Sequence, residues 1–195
     1  MPSEPYQVAF ENEYVRIVHV SLQKGQKVPL YVPAATTMVR IDLRPDDRGV
    51  IHGATRFGEG HSPEQSDRPS ETDVQEIRVE LKAPPAAVSM ALDAVRLDPA
   101  RYRVELENDR VRIVRLRFEA REKGVMVTHP PRVLATVTDV AVKLLFADGR
   151  TDQRGAPAGV AAWLDAETLQ TENAAAEPLE VILVEPKAAQ GFSVR

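Results

Sequence analysis

Four histidines are the side chains of this chain best suited to binding a metal ion or moving a proton: His19, His52, His61 and His129. A neutral imidazole binds divalent metals, and its unperturbed pKa of ~6.5 suits it to proton transfer. The 195 residues include no cysteine, which excludes disulfides, thiolate nucleophiles and thiolate ligands. A metal site would therefore have to combine histidine with aspartate or glutamate. His19 falls on the outer phase of its strand and His52 has no recognisable partner, so neither is predicted to be a ligand.

His129 has the most informative neighbours. It lies in the segment VMVTHPPR, and because alternate residues of a strand point to the same side, Val127 and His129 share a face. His129 alone could act as a general base or donate a hydrogen bond to a ligand. The alternative is a histidine that is hydrogen-bonded to Thr128 or to the backbone beside the two prolines that follow it. Arg132 comes directly after those prolines and is placed to meet an anionic ligand.

His61 and Glu172 are the two remaining candidates. His61 lies in the polar loop 58–72, where it could line a pocket with Glu64 or simply be solvated. Glu172 precedes Asn173 near the end of a predicted strand. A partly buried Glu172 could serve as an acid or base, whereas at an exposed strand end it would be only a surface charge.

A ten-residue block occurs twice in the chain: ENEYVRIVHV begins at Glu11, and ENDRVRIVRL begins at Glu107, 96 positions later. A second pair of similar segments, VQEIRVELK from Val74 and PLEVILVEPK from Pro178, is separated by about 105 positions, so the second copy is longer. Two copies indicate a duplication rather than a solenoid. We predict four regions: an N-terminal domain over 1–83, a linker over 84–98, a C-terminal domain over 99–190 and a tail over 191–195.

Hydrophobic and polar residues alternate in both copies, as in strands with one buried face. A β-rich run from Leu134 to Phe146 ends at Asp148-Gly149, a tight-turn dipeptide. Helix is scarce, and its best candidate is a short connector over Ala86 to Val95. The pattern predicts an all-β chain of two sandwich or small-barrel units. The residues predicted to face the core are Val18, Val20 and Leu22 in the first copy and Val114, Leu116 and Phe118 in the second.

The charges are scattered along the sequence rather than gathered into a basic stripe. Lys and Arg number 25 against 29 Asp and Glu, a net charge of −4, which argues against nucleic acid as a partner. Arg112, Arg115 and Arg117 are predicted to form an exposed cross-strand row with Glu119 and Glu122. No apolar run approaches the ~20 residues that cross a bilayer, so no membrane partner is predicted. The start of the chain does not resemble a signal peptide; we expect a cytoplasmic protein if the chain is complete and an exported one if a leader was removed.

These segments resemble the cupins, a family of double-sheet jelly-roll barrels. The resemblance is strongest over Tyr102 to Lys187, through RYRVELENDRVRIVRLRFEAREKG and the later WLDAETLQTEN. Tyr6 to Lys82 is similar at its start and end and looser in its middle. The resemblance implies a bicupin, that is, two cupin-type jelly-roll β-barrels from an internal duplication. It also implies a site, because cupins usually hold a divalent metal on a His-x-His pair, a downstream Glu and a third His.

Most of those ligand positions are not occupied by ligands in this chain. In the second copy the corresponding residues are Val127, His129, Val133 or Leu134, and Leu169. In the first copy Tyr31-Val32-Pro33 replaces His-x-His, so at most one ligand, His61, remains there. Aliphatic side chains cannot coordinate a cation, and an apolar cavity raises the cost of desolvating it. We therefore expect neither a metal ion nor another cofactor.

Three hypotheses for function follow. The first is a metal-free cupin that binds a small, largely apolar molecule in the second barrel or is purely structural, with a candidate pocket of Val127, His129, Arg132, Leu169, Glu172 and His61. The second is an enzyme, either a dioxygenase or isomerase with improvised ligands, or a metal-free isomerase in which His129 and Glu172 converge. The third is an interaction module whose barrels are filled by their own side chains and whose sheets associate, for example in a homodimer.

Overall fold

The computed structural model describes residues 5–59 and 64–188. The chain divides into two compact units, Met1–Ala83 with Gly159–Ala162 and Pro84–Ala158 with Trp163–Arg195. Regular structure is almost entirely antiparallel β-sheet, which confirms the prediction of an all-β chain with little helix. Within the described residues, no helix has the length and apolar character needed to cross a membrane.

The described residues between 5 and 83 form seven strands in two sheets. The strands are β1 (Tyr6–Glu11), β2 (Val15–Leu22), β3 (Lys27–Tyr31), β4 (Met38–Asp42), β5 (Ala54–Gly58), β6 (Glu64–Pro69) and β7 (Val74–Leu81). Five of them form a sheet in the order β1-β2-β7-β4-β5, and β3 pairs with β6. Val18, Val20 and Leu22 point into the core as predicted, where they pack with Tyr31.

The described residues from 84 to 188 form one helix and nine strands. They are α1 (Ala94–Leu97), β8 (Tyr102–Glu107), β9 (Val111–Phe118), β10 (Lys123–His129), β11 (Arg132–Thr136), β12 (Val140–Phe146), β13 (Thr151–Ala156), β14 (Ala161–Leu164), β15 (Glu167–Asn173) and β16 (Leu179–Pro186). One sheet has the order β14-β11-β16-β9-β8 and the other the order β10-β15-β12-β13. The β12–β13 hairpin turns at Asp148-Gly149 as predicted, and Gly149 supplies the positive φ of 85° that the turn requires.

The two five-stranded sheets have the same order of corresponding strands. Read from one edge, the order is β5-β4-β7-β2-β1 in one and β14-β11-β16-β9-β8 in the other. The β12–β13 hairpin lies between β11 and β14, at the point where the first half has only a connection between β4 and β5. This hairpin explains why the second copy is longer.

The repeated ten-residue block forms the same hairpin in each half. Asn12 accepts two backbone N–H hydrogen bonds of 2.9 and 2.8 Å through its side-chain oxygen, and Asn108 accepts two of 2.8 and 2.9 Å. These bonds close the turn between the first two strands of each half. The glutamate before each asparagine forms an ion pair with a lysine after the last strand: Glu11 with Lys82 at 2.9 Å and Glu107 with Lys187 at 2.8 Å. The block therefore recurs because it specifies a hairpin.

The helix found among the described residues is shorter than predicted and lies further along the chain. The structure has α1 at 94–97 rather than a helix over 86–95. The helix begins after Asp93 because the Asp93 side chain accepts a backbone N–H bond of 3.0 Å from the first turn. Ala94 is buried in the core of the second unit, so the end of the predicted linker packs as part of that unit.

Candidate functional site

Two aliphatic residues face each other at the positions where the resemblance to cupins would place metal ligands. In the antiparallel pair β10–β15, Val127 lies opposite Leu169 and His129 lies opposite Glu167. Directly opposed residues share a face of a sheet, so all four side chains point the same way. Val127 is 1% exposed and Leu169 3%, and each packs in a cluster of apolar side chains.

His129 is a buried, neutral imidazole. Its Nε2 lies 3.5 Å from the Tyr102 hydroxyl, whereas its Nδ1 has no hydrogen-bond partner within the described part of the chain. The pKa of His129 is well below its ordinary value, because burial opposes protonation and the positive charges of Arg132 and Arg112 add to that effect. The imidazole is therefore an uncharged ring beside two cations, not a base exposed to solvent.

Both predicted partners of His129 are wrong: Thr128 points to the other face of the sheet, and the ring nitrogens do not bond to the backbone beside the two prolines. The Thr128 hydroxyl lies 2.8 Å from that of Thr168. The sequence favoured a bond to the adjacent residue, but alternation sends neighbouring side chains of a strand in opposite directions. Tyr102 was missed because it is 27 residues away along the chain.

Glu172 also lies on this other face, so it does not share a cavity with His129. It is five positions after Glu167, the residue opposite His129, and an odd spacing along a strand reverses the side. Glu172 forms an ion pair with Lys143 at 3.7 Å and lines an open surface cavity of about 560 Å³. The hypothesis that His129 and Glu172 act together as acid and base is therefore wrong.

Arg132 is buried and already paired. Its guanidinium donates to Glu167 at 2.8 Å and to the carbonyl oxygens of Pro130 and Asp165 at 3.3 Å, while its Nε has no hydrogen-bond partner in the described chain. Burial lowers the pKa of Arg132, and the nearby Glu167 carboxylate opposes that shift. An anionic ligand, the predicted partner of Arg132, would have to replace Glu167.

Arg112 is the residue of this site for which the sequence analysis predicted the wrong face of the sheet. The prediction of an exposed row is wrong here, because Arg112 shares the inner face with the core residue Val114. Its guanidinium donates to Glu185 at 2.6 Å and to Asp93 at 2.8 Å. Burial raises the pKa of Glu185, although the Arg112 charge opposes that shift. We refer below to the polar cluster of the second unit, which comprises Asp93, Tyr102, Arg112, His129, Arg132, Glu167 and Glu185.

A cavity of about 240 Å³ opens beside this cluster. The ion pairs of Arg112 with Asp93 and Glu185, and of Lys187 with Glu107, form its polar part. The rest of its lining is mainly apolar and includes Pro85, Val88, Met90, Pro130, Pro131 and Pro186. Because the charges are paired with one another, the cavity offers apolar walls and a few polar atoms but no free charge.

The corresponding region of the first unit contains a buried carboxyl group of a different kind. Tyr31, at the position corresponding to Val127, donates its hydroxyl to Glu80, and the backbone N–H of Ala34 donates to the other oxygen at 2.6 Å. Burial raises the pKa of Glu80. The Tyr31 ring stacks on Tyr6 at 4.5 Å, and the Arg78 guanidinium lies 5.1 Å from the Tyr31 ring centre. His61, the candidate predicted here, lies outside the described residues.

The residues of the second unit do not fit a divalent metal ion. No group of three His, Asp or Glu side chains able to hold a metal occurs among the residues that the structure describes. His129, the one imidazole of this unit, shares its face with Val127 and lies opposite Glu167, whose carboxylate is paired with Arg132, and the charges of Arg112 and Arg132 act on it. A cation at this position would be repelled by both guanidinium groups and would lose its hydration without gaining ligands.

Comparisons with known proteins show a similarity at the level of the fold. No family model matches the sequence, and no curated protein matches it significantly. A cupin 2 conserved barrel domain protein from Leptotrichia buccalis superposes with a TM-score of 0.50 at 11% identity, over 93% of this chain and 88% of that one. The chain has a cupin fold. The predicted resemblance to cupins is thereby confirmed at the level of the fold.

Two other proteins share this cupin fold over most of their length. AerE from Microcystis aeruginosa superposes with a TM-score of 0.57 at 6% identity, covering 93% of this chain and 96% of that chain. A variant of Bacillus subtilis oxalate decarboxylase superposes with a TM-score of 0.57 at 12% identity, covering 93% and 72%. At these identities the likeness concerns the fold and does not extend to the chemistry.

Proposed function

We propose that this chain is a metal-independent bicupin: two jelly-roll units from an internal duplication, the second of which binds a small, largely apolar molecule. The two-unit architecture is supported by the matching strand orders of the two five-stranded sheets. It is further supported by the Asn12 and Asn108 turns, which repeat the same hairpin. The superpositions extend over 93% of the chain rather than over one half.

The observation that carries metal independence is the register of β10 and β15. It sets Val127 against Leu169, both buried, where the cupin pattern would have ligands. His129 has two cationic neighbours in place of further ligands. Metal affinity depends on the number of deprotonated donors free to coordinate, and the carboxylates near His129 are paired with Arg132 and Arg112.

The cavity beside the polar cluster supports binding of a small molecule. Its volume of about 240 Å³ lies just below the ~300–1,000 Å³ of typical ligand pockets. Proline walls are rigid, so little conformational entropy is lost when a ligand packs against them. The ligand class is a neutral molecule of about the size of a substituted benzene ring, whose polar group can hydrogen-bond at the floor.

Elemental analysis of protein purified without chelators tests metal independence. We expect less than about 0.1 atom of any transition metal per chain, and a tenfold excess of Mn²⁺, Fe²⁺, Ni²⁺ or Zn²⁺ should not raise the unfolding temperature, since only a ligand that binds the folded state stabilises it. Near-stoichiometric iron, manganese, nickel or zinc would overturn this part of the proposal.

A ¹⁹F NMR titration with 4-fluorobenzyl alcohol tests the cavity. We expect saturable broadening of the probe signal by the wild-type chain. Met90→Trp, which fills the cavity, should abolish the broadening, whereas Leu97→Trp adds the same side chain at an exposed position of α1 and should preserve it. Absence of broadening at millimolar probe, or equal broadening with both variants, would reject binding at this cavity.

A further inference from the structure

A groove in the first unit has an unusual combination of exposed apolar side chains and an arginine. Its volume is about 450 Å³, and it lies between β1 and β3. Val8, Leu30 and Val32 in its lining are 45%, 60% and 56% exposed. The charged side chain in the lining is Arg16, which projects from β2. Clustered exposed apolar residues beside a charge are typical of binding surfaces.

The corresponding place in the second unit is filled by the chain itself. Arg16 and Arg112 correspond, because each lies opposite a glutamate of the last strand, Glu80 and Glu185 respectively. Likewise Tyr6 corresponds to Tyr102 and Val8 to Val104, since both pairs are separated by the same 96 positions. In the second unit this place is occupied by the segment Leu92–Leu97, which includes α1.

That segment makes three kinds of contact in the second unit. The Asp93 carboxylate accepts a hydrogen bond of 2.8 Å from Arg112. Ala94 is buried in the same apolar cluster as Tyr102, and Val95 packs against this cluster. The carbonyl oxygen of Leu92 accepts a backbone hydrogen bond of 2.8 Å from the N–H of Thr128, on the edge of β10. The segment thus supplies an acidic side chain, apolar side chains and a backbone carbonyl oxygen, and each of them has its own partner in the second unit.

The same three places are open in the first unit. Among the described residues, the hydrogen bonds to the two oxygens of Glu80 come from the Tyr31 hydroxyl and the Ala34 N–H rather than from Arg16. The Nε of Arg16 has no hydrogen-bond partner among the described residues, and its ion pair with the exposed Glu11 is long, at 3.6 Å. In the described part of the chain β3 pairs with β6 alone, so its other edge has no strand partner there.

We propose that this groove binds a short segment of a partner protein in which an acidic residue is followed by small apolar residues. The acidic side chain pairs with Arg16, the apolar residues cover Tyr6 and Val8, and the segment backbone bonds to the edge of β3 near Val32. This mode combines strand-edge pairing with one charge-assisted hydrogen bond. The inference uses the equivalence of the two copies and is independent of metal content and of the cavity in the second unit.

The chain's own segment provides a defined probe. A fluorescein-labelled peptide MALDAVRLD, which is residues 90–98, is titrated with the full chain and followed by fluorescence anisotropy. We expect saturable binding with a dissociation constant on the order of 100 µM, since a flexible nonapeptide loses much entropy on ordering. Arg16→Gln should weaken binding at least about tenfold, and a peptide with Asn in place of its first Asp should show a similar loss.

Control variants separate specific from general effects. Arg48→Gln removes an exposed arginine of the same unit and should leave binding unchanged. Leu30→Glu alters an exposed lining residue and should weaken binding without unfolding the protein, even if Arg16→Gln proves unstable. Absence of binding up to 1 mM peptide, equal binding to Arg16→Gln, or an equal loss with Arg48→Gln would each overturn the proposal. Displacement by benzoate as effective as by unlabelled peptide would also overturn it, because the site would then recognise a carboxylate rather than a segment.

Discussion

Replacing His129 with leucine is expected to remove a loss of stability that the wild-type chain suffers below pH 6.5. His129 is 3% exposed, and burial and the charges of Arg132 and Arg112 hold its pKa well below its ordinary value. In the unfolded chain the same ring has a pKa of ~6.5. Acidification therefore protonates the unfolded state first and favours it, so the contribution of His129 is complete above pH 6.5 and is lost as the pH falls.

The size of the effect follows from the binding of one proton to the His129 imidazole of the unfolded chain. While the folded imidazole stays neutral, the unfolded state gains a free energy of RT ln(1 + 10^(6.5 − pH)), which is about 0.4 kcal/mol at pH 6.5 and about 1.4 kcal/mol at pH 5.5. The wild-type chain should thus lose about 1 kcal/mol through His129 over this interval. Leucine does not titrate and suits the apolar surroundings of Val127, so His129→Leu should lack this share of the pH dependence.

Urea unfolding at pH 7.5, 6.5 and 5.5 measures the difference. The half-buried His19, whose pKa is also lowered by burial, is present in both proteins and cancels in the comparison. His129→Gln serves as a second, polar variant that does not titrate and should behave like His129→Leu in pH dependence, even if its stability is lower. Equal pH dependence in wild type and both variants would refute the conclusion that the folded state holds His129 uncharged.

Three further substitutions test the packing around this site, each by urea unfolding. Glu185→Gln should destabilise the chain by about 2–4 kcal/mol, since it removes the negative charge nearest the partly buried Arg112 guanidinium; a loss below about 0.5 kcal/mol would show that Asp93 compensates fully. Asn108→Ala should cost about 1 kcal/mol through its two lost backbone hydrogen bonds, and an unchanged midpoint would contradict its role in the turn. Gly124→Ala brings a Cβ within 3.0 Å of the buried Phe118 ring and should cost about 1–3 kcal/mol, and an unchanged midpoint would contradict this close packing.

Strand alternation predicted several faces of the sheets from the sequence, and its failures have identifiable causes. Val114 and Leu116 face the core as expected. By the same alternation Arg112 faces inward, but an arginine was assumed to prefer solvent. Glu185 and Asp93, the residues that make its burial tolerable, lie 73 and 19 positions away. Local sequence therefore indicated the direction of the side chain but not the partners that allow it to be buried.

The register between two strands could not be predicted from the local sequence either. The opposition of Val127 to Leu169, and of His129 to Glu167, depends on how two strands about 40 residues apart align. A shift of one residue would have exchanged the two faces of β15 and brought Glu172 inside. The sequence does not encode that alignment within either strand, so the predicted pairing of Glu172 with His129 had no local signal against it.

The sequence by itself indicated the all-β class, the repeated ten-residue block and the Asp148-Gly149 hairpin, because alternation, a repeat and a turn dipeptide can be recognised without knowing which distant residues meet. Tertiary structure alone decided which charges are buried and which are satisfied. Arg16 and Arg112 occupy the same place in the two copies, yet Arg112 is bonded to Glu185 and Asp93 while Arg16 faces an open groove. The physical reason is that the free energy of a charged group depends on neighbours brought together from distant parts of the chain.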